Sequence, residues 1–210
     1  MTPIRHERLV VGPLQTNCYV LWDSSTGGGV IIDPGGDNDL IQTLVKSLGV
    51  RVERILATHG HPDHIFSAGA LSRVYGVGVA MHAADIPVLE ESAAIAEMFY
   101  DMAAFVPFAP DTLLSDGELV PVGGTEARVI HTPGHSPGGV CFQTEAGVFC
   151  GDTLFAGSIG RTDLPGGSYE QLMESIRSAL MSLEDSTPVF PGHGPRTTIG
   201  AERRSNPFLQ

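Results

Sequence analysis

The stretch Thr58-His59-Gly60-His61-Pro62-Asp63-His64 places three imidazoles and a carboxylate within six consecutive residues. Histidine is seldom fully buried without a partner, so such crowding points to metal binding rather than core packing. Three further candidate ligands each adjoin glycine: His135 in Pro133-Gly134-His135-Ser136-Pro137-Gly138, Asp152 in Gly151-Asp152-Thr153, and His193 in Pro191-Gly192-His193-Gly194. Glycine permits the sharp backbone that lets a single side chain project from a strand end.

In an extended segment, residues two apart point the same way. His59 and His61 can therefore reach one ion, while Asp63 and His64 turn toward another point. The run thus predicts two metals. His135 can complete three imidazoles around the first, His193 can join Asp63 and His64 at the second, and Asp152 can bridge. Two divalent ions about 3.5 to 4 Å apart share a water whose pKa falls to roughly 7, giving hydroxide at neutral pH. Two such cations, two carboxylates and one hydroxide leave roughly one positive charge, suited to an anionic or carbonyl-bearing substrate. Nitrogen and oxygen donors make zinc the first choice, and iron or manganese suit the same set.

The histidine run with His135, Asp152 and His193 resembles the metallo-β-lactamase fold superfamily, over essentially the whole chain. Within it, His131-Thr132-Pro133-Gly134-His135-Ser136-Pro137-Gly138 is similar to the glyoxalase II group, the hydroxyacylglutathione hydrolases and their short relatives. So is Gly151-Asp152-Thr153-Leu154-Phe155 followed by Gly160-Arg161-Thr162-Asp163. The resemblance implies an α+β fold, a four-layer αββα sandwich in one domain spanning residues 1–210, with the metals at the sheet edge. It also implies His59, His61 and His135 on the first metal, Asp63, His64 and His193 on the second, and Asp152 between them.

The activity so implied is hydrolysis of a thioester such as an S-2-hydroxyacylglutathione by a metal-bridging hydroxide. One metal would polarise the carbonyl oxygen and the other stabilise the departing thiolate, with Asp63 both binding metal and orienting the nucleophile. A thiol with a free pKa of about 8.5 leaves as an anion without a strong general acid, and no such acid is evident. Zinc β-lactamases commonly place a cysteine where Asp152 stands, so lactam cleavage is not the expected activity. Arg161 aligns with a basic position near the substrate carboxylate, or else pairs with Asp163 or another acid. Only Gly194 to Gln210 follow the last histidine, where glyoxalase II carries a helical extension that helps grip glutathione, so weak glutathione recognition is expected. Two other functions fit the motifs. Persulfide dioxygenases share the Gly160 to Asp163 stretch and hold one iron at the positions matching His59, His135 and Asp152. A metal-binding protein without turnover would keep the site as well.

The elements that must carry these residues follow from periodicity. Asn17 to Trp22 and Gly29 to Asp33 read as strands joined by a turn over Ser24 to Gly28. Asp37 or Asn38 caps a helix with Leu40, Ile41, Leu44, Val45 and Leu48 at helical spacing, stopped by Gly49. Arg54 to Ala57 is a strand delivering the chain into the histidine run. Ile65 to Tyr75 reads as a helix with Ala68, Leu71 and Val74 on one face, and Val77 to Met81 as a strand. Ala83 to Leu114, interrupted by prolines and rich in methionine and aromatics, reads as a lid or connecting arm; it offers either a core face or a wall of the substrate pocket. Leu119 to Val122, Ala127 to Ile130, Gly139 to Thr144 and Val148 to Cys150 read as strands. Ser168 and Gln171 form a capping box for a helix burying Leu172, Ile176, Leu180 and Leu183, and Pro188 to Phe190 is the last strand.

Bulk composition narrows the partners. A chain of 210 residues with 42% apolar content suits one domain, and a net charge of -12 repels nucleic acid. A small-molecule substrate is therefore expected, with no nucleic-acid or membrane partner; oligomeric state is not encoded in any pattern. Cys18, Cys141 and Cys150 lack paired spacing, and no apolar run reaches the roughly 18 residues of a membrane span, so a cytoplasmic location is expected. Cys150 reads as a core residue, His131 as a partner behind a ligand or a buried histidine, and His6 and His82 as surface or helix-end positions.

Overall fold

The computed structural model describes residues 4–210, apart from the side chains of residues 92–95. In chain order the first half contains β1 (Ile4–Val11), β2 (Thr16–Asp23), β3 (Gly28–Ile32), α1 (Asn38–Leu48), β4 (Arg51–Leu56), the single turn α2 (Pro62–Ile65), α3 (Ala68–Tyr75), β5 (Val79–His82), α4 (Ile86–Ala96) and β6 (Thr112–Leu114). The second half contains β7 (Leu119–Val122), β8 (Thr125–His131), β9 (Val140–Thr144), β10 (Gly147–Gly151), β11 (Leu154–Phe155), β12 (Ser158–Ile159), α5 (Tyr169–Ser175), β13 (Pro188–Pro191), β14 (Thr197–Thr198) and α6 (Ile199–Ser205).

Two six-stranded sheets form, in the orders β1-β2-β3-β4-β5-β6 and β14-β13-β10-β9-β8-β7. Strands β3 to β6 are parallel neighbours, a pairing that requires crossovers, which α1, α3 and α4 supply. Side-chain alternation explains the layering. In β2, Tyr19 and Leu21 face the second sheet, meeting Phe142, Phe149 and Phe190 in the central core. Cys18 and Val20 face the other way, toward Ile41, Val45 and Leu71 of α1 and α3. In β10, Phe149 points to the central core while Val148 and Cys150 meet Leu172, Ile176 and Leu180 below α5. Helices thus cover both outer faces, and the chain is a single-domain αββα sandwich as expected. Sheets buried on both sides read as continuous apolar runs, which β2, β3 and β10 are.

Several local expectations are corrected. Strand β1 was not expected: it is an edge strand whose residues between Ile4 and Val11 are all at least partly exposed, so no apolar alternation marks it. The helix expected over Ile65 to Tyr75 is broken, because Ser67 N–H donates to Pro34 O and α3 begins at Ala68. Val74 is 55% exposed and off the buried face. Asp37 precedes α1 with a φ of 51° and no side-chain cap; its Oδ2 accepts from Gly12 N–H at 2.8 Å instead. Only half of the capping box forms. Ser168 Oγ accepts from Gln171 N–H at 3.3 Å, but Ser168 N–H donates to Gly134 O, tying α5 to the loop of His135. Past Ser175 the helix widens into a π turn over Ile176–Leu180.

Residues 83–114 contain a 3-10 turn at Ala83–Asp85, α4, a second 3-10 turn at Met102–Ala104, and β6 as the sheet edge. Tyr100 stacks on Phe66 at 4.2 Å and Phe108 packs under the first sheet, while Met98 is exposed. His6 is half-buried against Phe190 at 4.4 Å rather than on the surface, whereas His82 does sit at a helix end, its Nδ1 accepting from Ala84 N–H. After His193 the chain forms β14 and α6. Buried Glu202 in α6 accepts from Gly157 N–H, and Asn206 Nδ2 donates to Ser158 O, so the C-terminal helix grips the β11–β12 hairpin. No helix among the described residues is long and apolar enough to cross a membrane.

Candidate metal centre

Strands β8 and β10 are both antiparallel to β9, and β13 is parallel to β10, so all three end at one edge of the second sheet. The loops leaving those ends carry His135, Asp152 and His193. The loop leaving β4 of the first sheet carries His59 and His61 and runs into α2, which carries Asp63 and His64. Backbone bonds stitch the two edges together: Asn17 N–H donates to Gly192 O at 2.7 Å and Val140 N–H to Thr58 O at 2.8 Å. Tyr19 Oη and Asn17 Nδ2 each donate to Pro191 O at 2.8 Å.

All seven expected side chains meet there. One ligand atom each from His59, His61 and His135 lies within 4.8 Å of the others, and so it is for Asp63, His64 and His193, and for His59, His64 and Asp152. His61 Nδ1 is 2.9 Å from His135 Nε2, which is 3.2 Å from His59 Nε2. On the other side, His64 Nε2 is 3.3 Å from His193 Nε2, which is 3.1 Å from Asp63 Oδ2. Asp152 stands between, with Oδ1 3.4 Å from His64 and Oδ2 3.6 Å from both His135 and His193.

The outer nitrogens fix the tautomers. His135 Nδ1 lies 2.7 Å from Arg161 O, a carbonyl that can only accept. His64 Nδ1 lies 2.9 Å from Asp33 Oδ2. Thr58 Oγ1 donates to Asp33 Oδ2 at 2.7 Å, so at 3.0 Å it accepts from His59 Nδ1. Each outer nitrogen carries its proton, which leaves Nε2 as the atom each ring turns inward. Lone pairs facing lone pairs repel unless a cation lies among them, and Asp152 Oδ1 is buried with no hydrogen-bond partner. The residues fit divalent metal.

Charge reinforces the arrangement. Burial, then the neighbouring imidazoles, lowers the pKa of His59, and His61 is lowered to about 4 by burial and His135. Burial opposes a charge on His64, yet Asp152, Asp63 and Asp33 together outweigh it and raise its pKa well above the usual range. Burial likewise opposes ionised Asp63 and Asp152, but His64 and His193 hold both carboxyls below their ordinary value.

The centre forms the floor of a cleft of about 560 Å³ walled by Leu14, Phe99, Phe155, Ile159 and Leu164. Among the described residues of the 83–114 segment, only Phe99 lines this cleft. Arg161 stands at the cleft, its Nε and one terminal nitrogen each 2.8 Å from Asp163, so the ion-pair alternative describes its side chain. Among the described residues His131 contacts no ligand: it stacks on His82 at 4.1 Å, its Nε2 donating to Pro137 O. Cys150 is a core residue, fully buried. Sequence reasoning missed Asp33, Asp85 and Thr16. Asp33 had one signal, an acid ending a buried apolar strand before Pro34-Gly35-Gly36; Asp85 and Thr16 had none.

A family model described as the metallo-beta-lactamase superfamily matches residues 11–193. The chain is 37% identical over 206 residues to hydroxyacylglutathione hydrolase GloC of Haemophilus influenzae, covering 97% of each chain. It superposes with a TM-score of 0.86 on BLEG-1, described as a B3 metallo-beta-lactamase, at 38% identity, covering 98% of this chain and all of that one. It also superposes at 0.86 on TTHA1623 in a di-iron-bound form, at 38% identity, covering 97% of this chain and 100% of that one. The chain belongs to the metallo-β-lactamase superfamily. That membership supports a hydrolase, with the histidine and aspartate cluster as its candidate site for divalent metal.

Proposed function

We propose that the protein is a dinuclear metal-dependent hydrolase cleaving a small thioester, of the S-2-hydroxyacylglutathione type or a related one. The inward-facing Nε2 atoms of His59, His64 and His135 around the unpartnered Oδ1 of Asp152 carry this reading. When bound, two divalent ions supply a water acidified to near neutrality and a Lewis acid for the scissile carbonyl. His59, His61 and His135 would hold one ion and Asp63, His64 and His193 the other, with Asp152 offering an oxygen to each side.

Thr16 Oγ1 donates to Asp63 Oδ2 at 3.2 Å and fixes that carboxylate at the cleft floor, where it can orient an attacking water. A departing thiolate needs no general acid, and among the described residues the cleft lining offers none beyond the ligands themselves. The apolar walls suit an acyl chain. Arg161 can meet a substrate carboxylate by exchanging Asp163 for it. Zinc is our choice of metal from the nitrogen and oxygen donors, and the di-iron neighbour supports iron as the alternative. Three buried free cysteines accord with a reducing cytoplasm, where we place the protein.

Likeness to BLEG-1 favours a second substrate class, β-lactams, at the same site. The test is turnover of S-lactoylglutathione, a chromogenic cephalosporin and a persulfide by metal-saturated protein. Thioester cleavage with two ions per chain supports the proposal; lactam turnover alone selects the second reading. One iron with persulfide-dependent oxygen uptake overturns both.

A further inference from the structure

We infer that Asp85 is the positioning residue that holds the three-imidazole half of the centre in register. Asp85 ends the first turn after β5 and is fully buried, with no lysine or arginine paired to it among the described residues. It does not line the cleft. Its Oδ2 accepts from Gly60 N–H at 2.8 Å and from Ser136 Oγ at 2.7 Å, and its Oδ1 accepts from Gly138 N–H.

Gly60 lies between His59 and His61, and Ser136 and Gly138 follow His135 in its loop. One carboxylate therefore cross-links the two loops that carry all three rings, across sequence separations of 25, 51 and 53 residues. Among the described residues His61 has no hydrogen bond on its outer nitrogen, so its ring depends on the backbone of Gly60. Asp33 serves the other half directly, accepting from His64 Nδ1 at 2.9 Å, and reaches His59 only through Thr58. Burying a carboxylate is costly, and packing alone would be served by an apolar residue. Only an acid supplies acceptors on both oxygens with no donor, as three converging donors require. Gly138 presses on Asp85 so closely that a Cβ there would lie 2.6 Å from Asp85 N and 2.8 Å from its Cγ.

The inference rests on the proposed ligand set, and the experiment separates the two. Zinc-loaded wild type and Asp85→Asn are equilibrated with graded chelator, zinc per chain is counted, and the retained ion is located by anomalous diffraction. In Asp85→Asn an amide NH₂ must face a donor, so the ion at His59, His61 and His135 should be lost at about 10- to 100-fold lower chelator. The ion at Asp63, His64 and His193 should be retained longer. Ser136→Ala, which removes one donor and spares the carboxylate, should show a smaller loss at the same ion, and it decides the matter if Asp85→Asn does not fold. Unchanged affinity, or first loss of the other ion, overturns the role of Asp85. Wild type that binds no zinc overturns the ligand set, and the inference with it.

Discussion

Gly192→Ala should disable the centre while leaving the fold. Gly192 is held on both sides, its N–H donating to Gly151 O at 2.8 Å and its carbonyl accepting from Asn17 N–H at 2.7 Å. A Cβ there would lie 2.2 Å from Asp152 Oδ1 and 2.6 Å from His64 Cε1, where ordinary contact begins near 3.4 Å. With the backbone pinned, the Asp152 carboxylate or the His64 ring must move by about 1 Å, and a shift of that size costs on the order of 100-fold in rate. Overpacking should cost about 1–3 kcal/mol in stability, a fall in Tm of roughly 2 to 12 °C for a chain of this size. Gly194→Ala is the control. A Cβ there meets nothing within 4 Å, but φ is +74°, so strain of about 1–2 kcal/mol should appear without metal loss. Metal content, thioester turnover and thermal melting of both variants provide the comparison. Full activity in Gly192→Ala, or equal metal loss in both variants, would refute the steric reasoning.

Three other outcomes follow from the geometry. Cys18, Cys141 and Cys150 are fully buried, and burial pushes their thiols up, that of Cys141 to about 11. Folded protein should therefore resist thiol reagents at pH 8 until denatured, and Cys150→Ser should keep its metal; rapid labelling would contradict the core assignment. Asp163→Ala frees Arg161 from a solvent-exposed pair that adds little to stability. It should leave Tm nearly unchanged while lowering KM for a carboxylate-bearing thioester, and unchanged KM would remove Arg161 from substrate binding. Because the His64 and His193 pKa values are raised in metal-free protein, a cation must displace their protons. His59 and His61, with lowered values, are already neutral at pH 7 and release none. Metal affinity should thus rise with pH through neutrality, with about one to two protons released per chain in calorimetry across buffers. Affinity that falls as pH rises would contradict this.

The seven converging side chains were legible because their types are rare at such density and their flanking glycines mark strand ends. The layered sandwich was expected from the family resemblance, and the burial of β2, β3 and β10 on both faces is its physical basis. Residues behind the ligands were not legible. Asp85 makes its bonds across 25 residues or more, and nothing adjacent to it distinguishes it from a helix-start acid. Edge strand β1 and the two-residue strands β11, β12 and β14 are set by pairing with neighbours rather than by any periodicity of their own. The break between α2 and α3 arises from a tertiary bond to Pro34 O, which a helical apolar pattern does not register.

The most direct measurement is anomalous diffraction at the zinc edge from crystals equilibrated with zinc. Two peaks are expected, one among His59, His61 and His135 and one among Asp63, His64 and His193, both within reach of Asp152. No peak, or a single one held by His59, His135 and Asp152 with the other cluster empty at saturation, would contradict the dinuclear account.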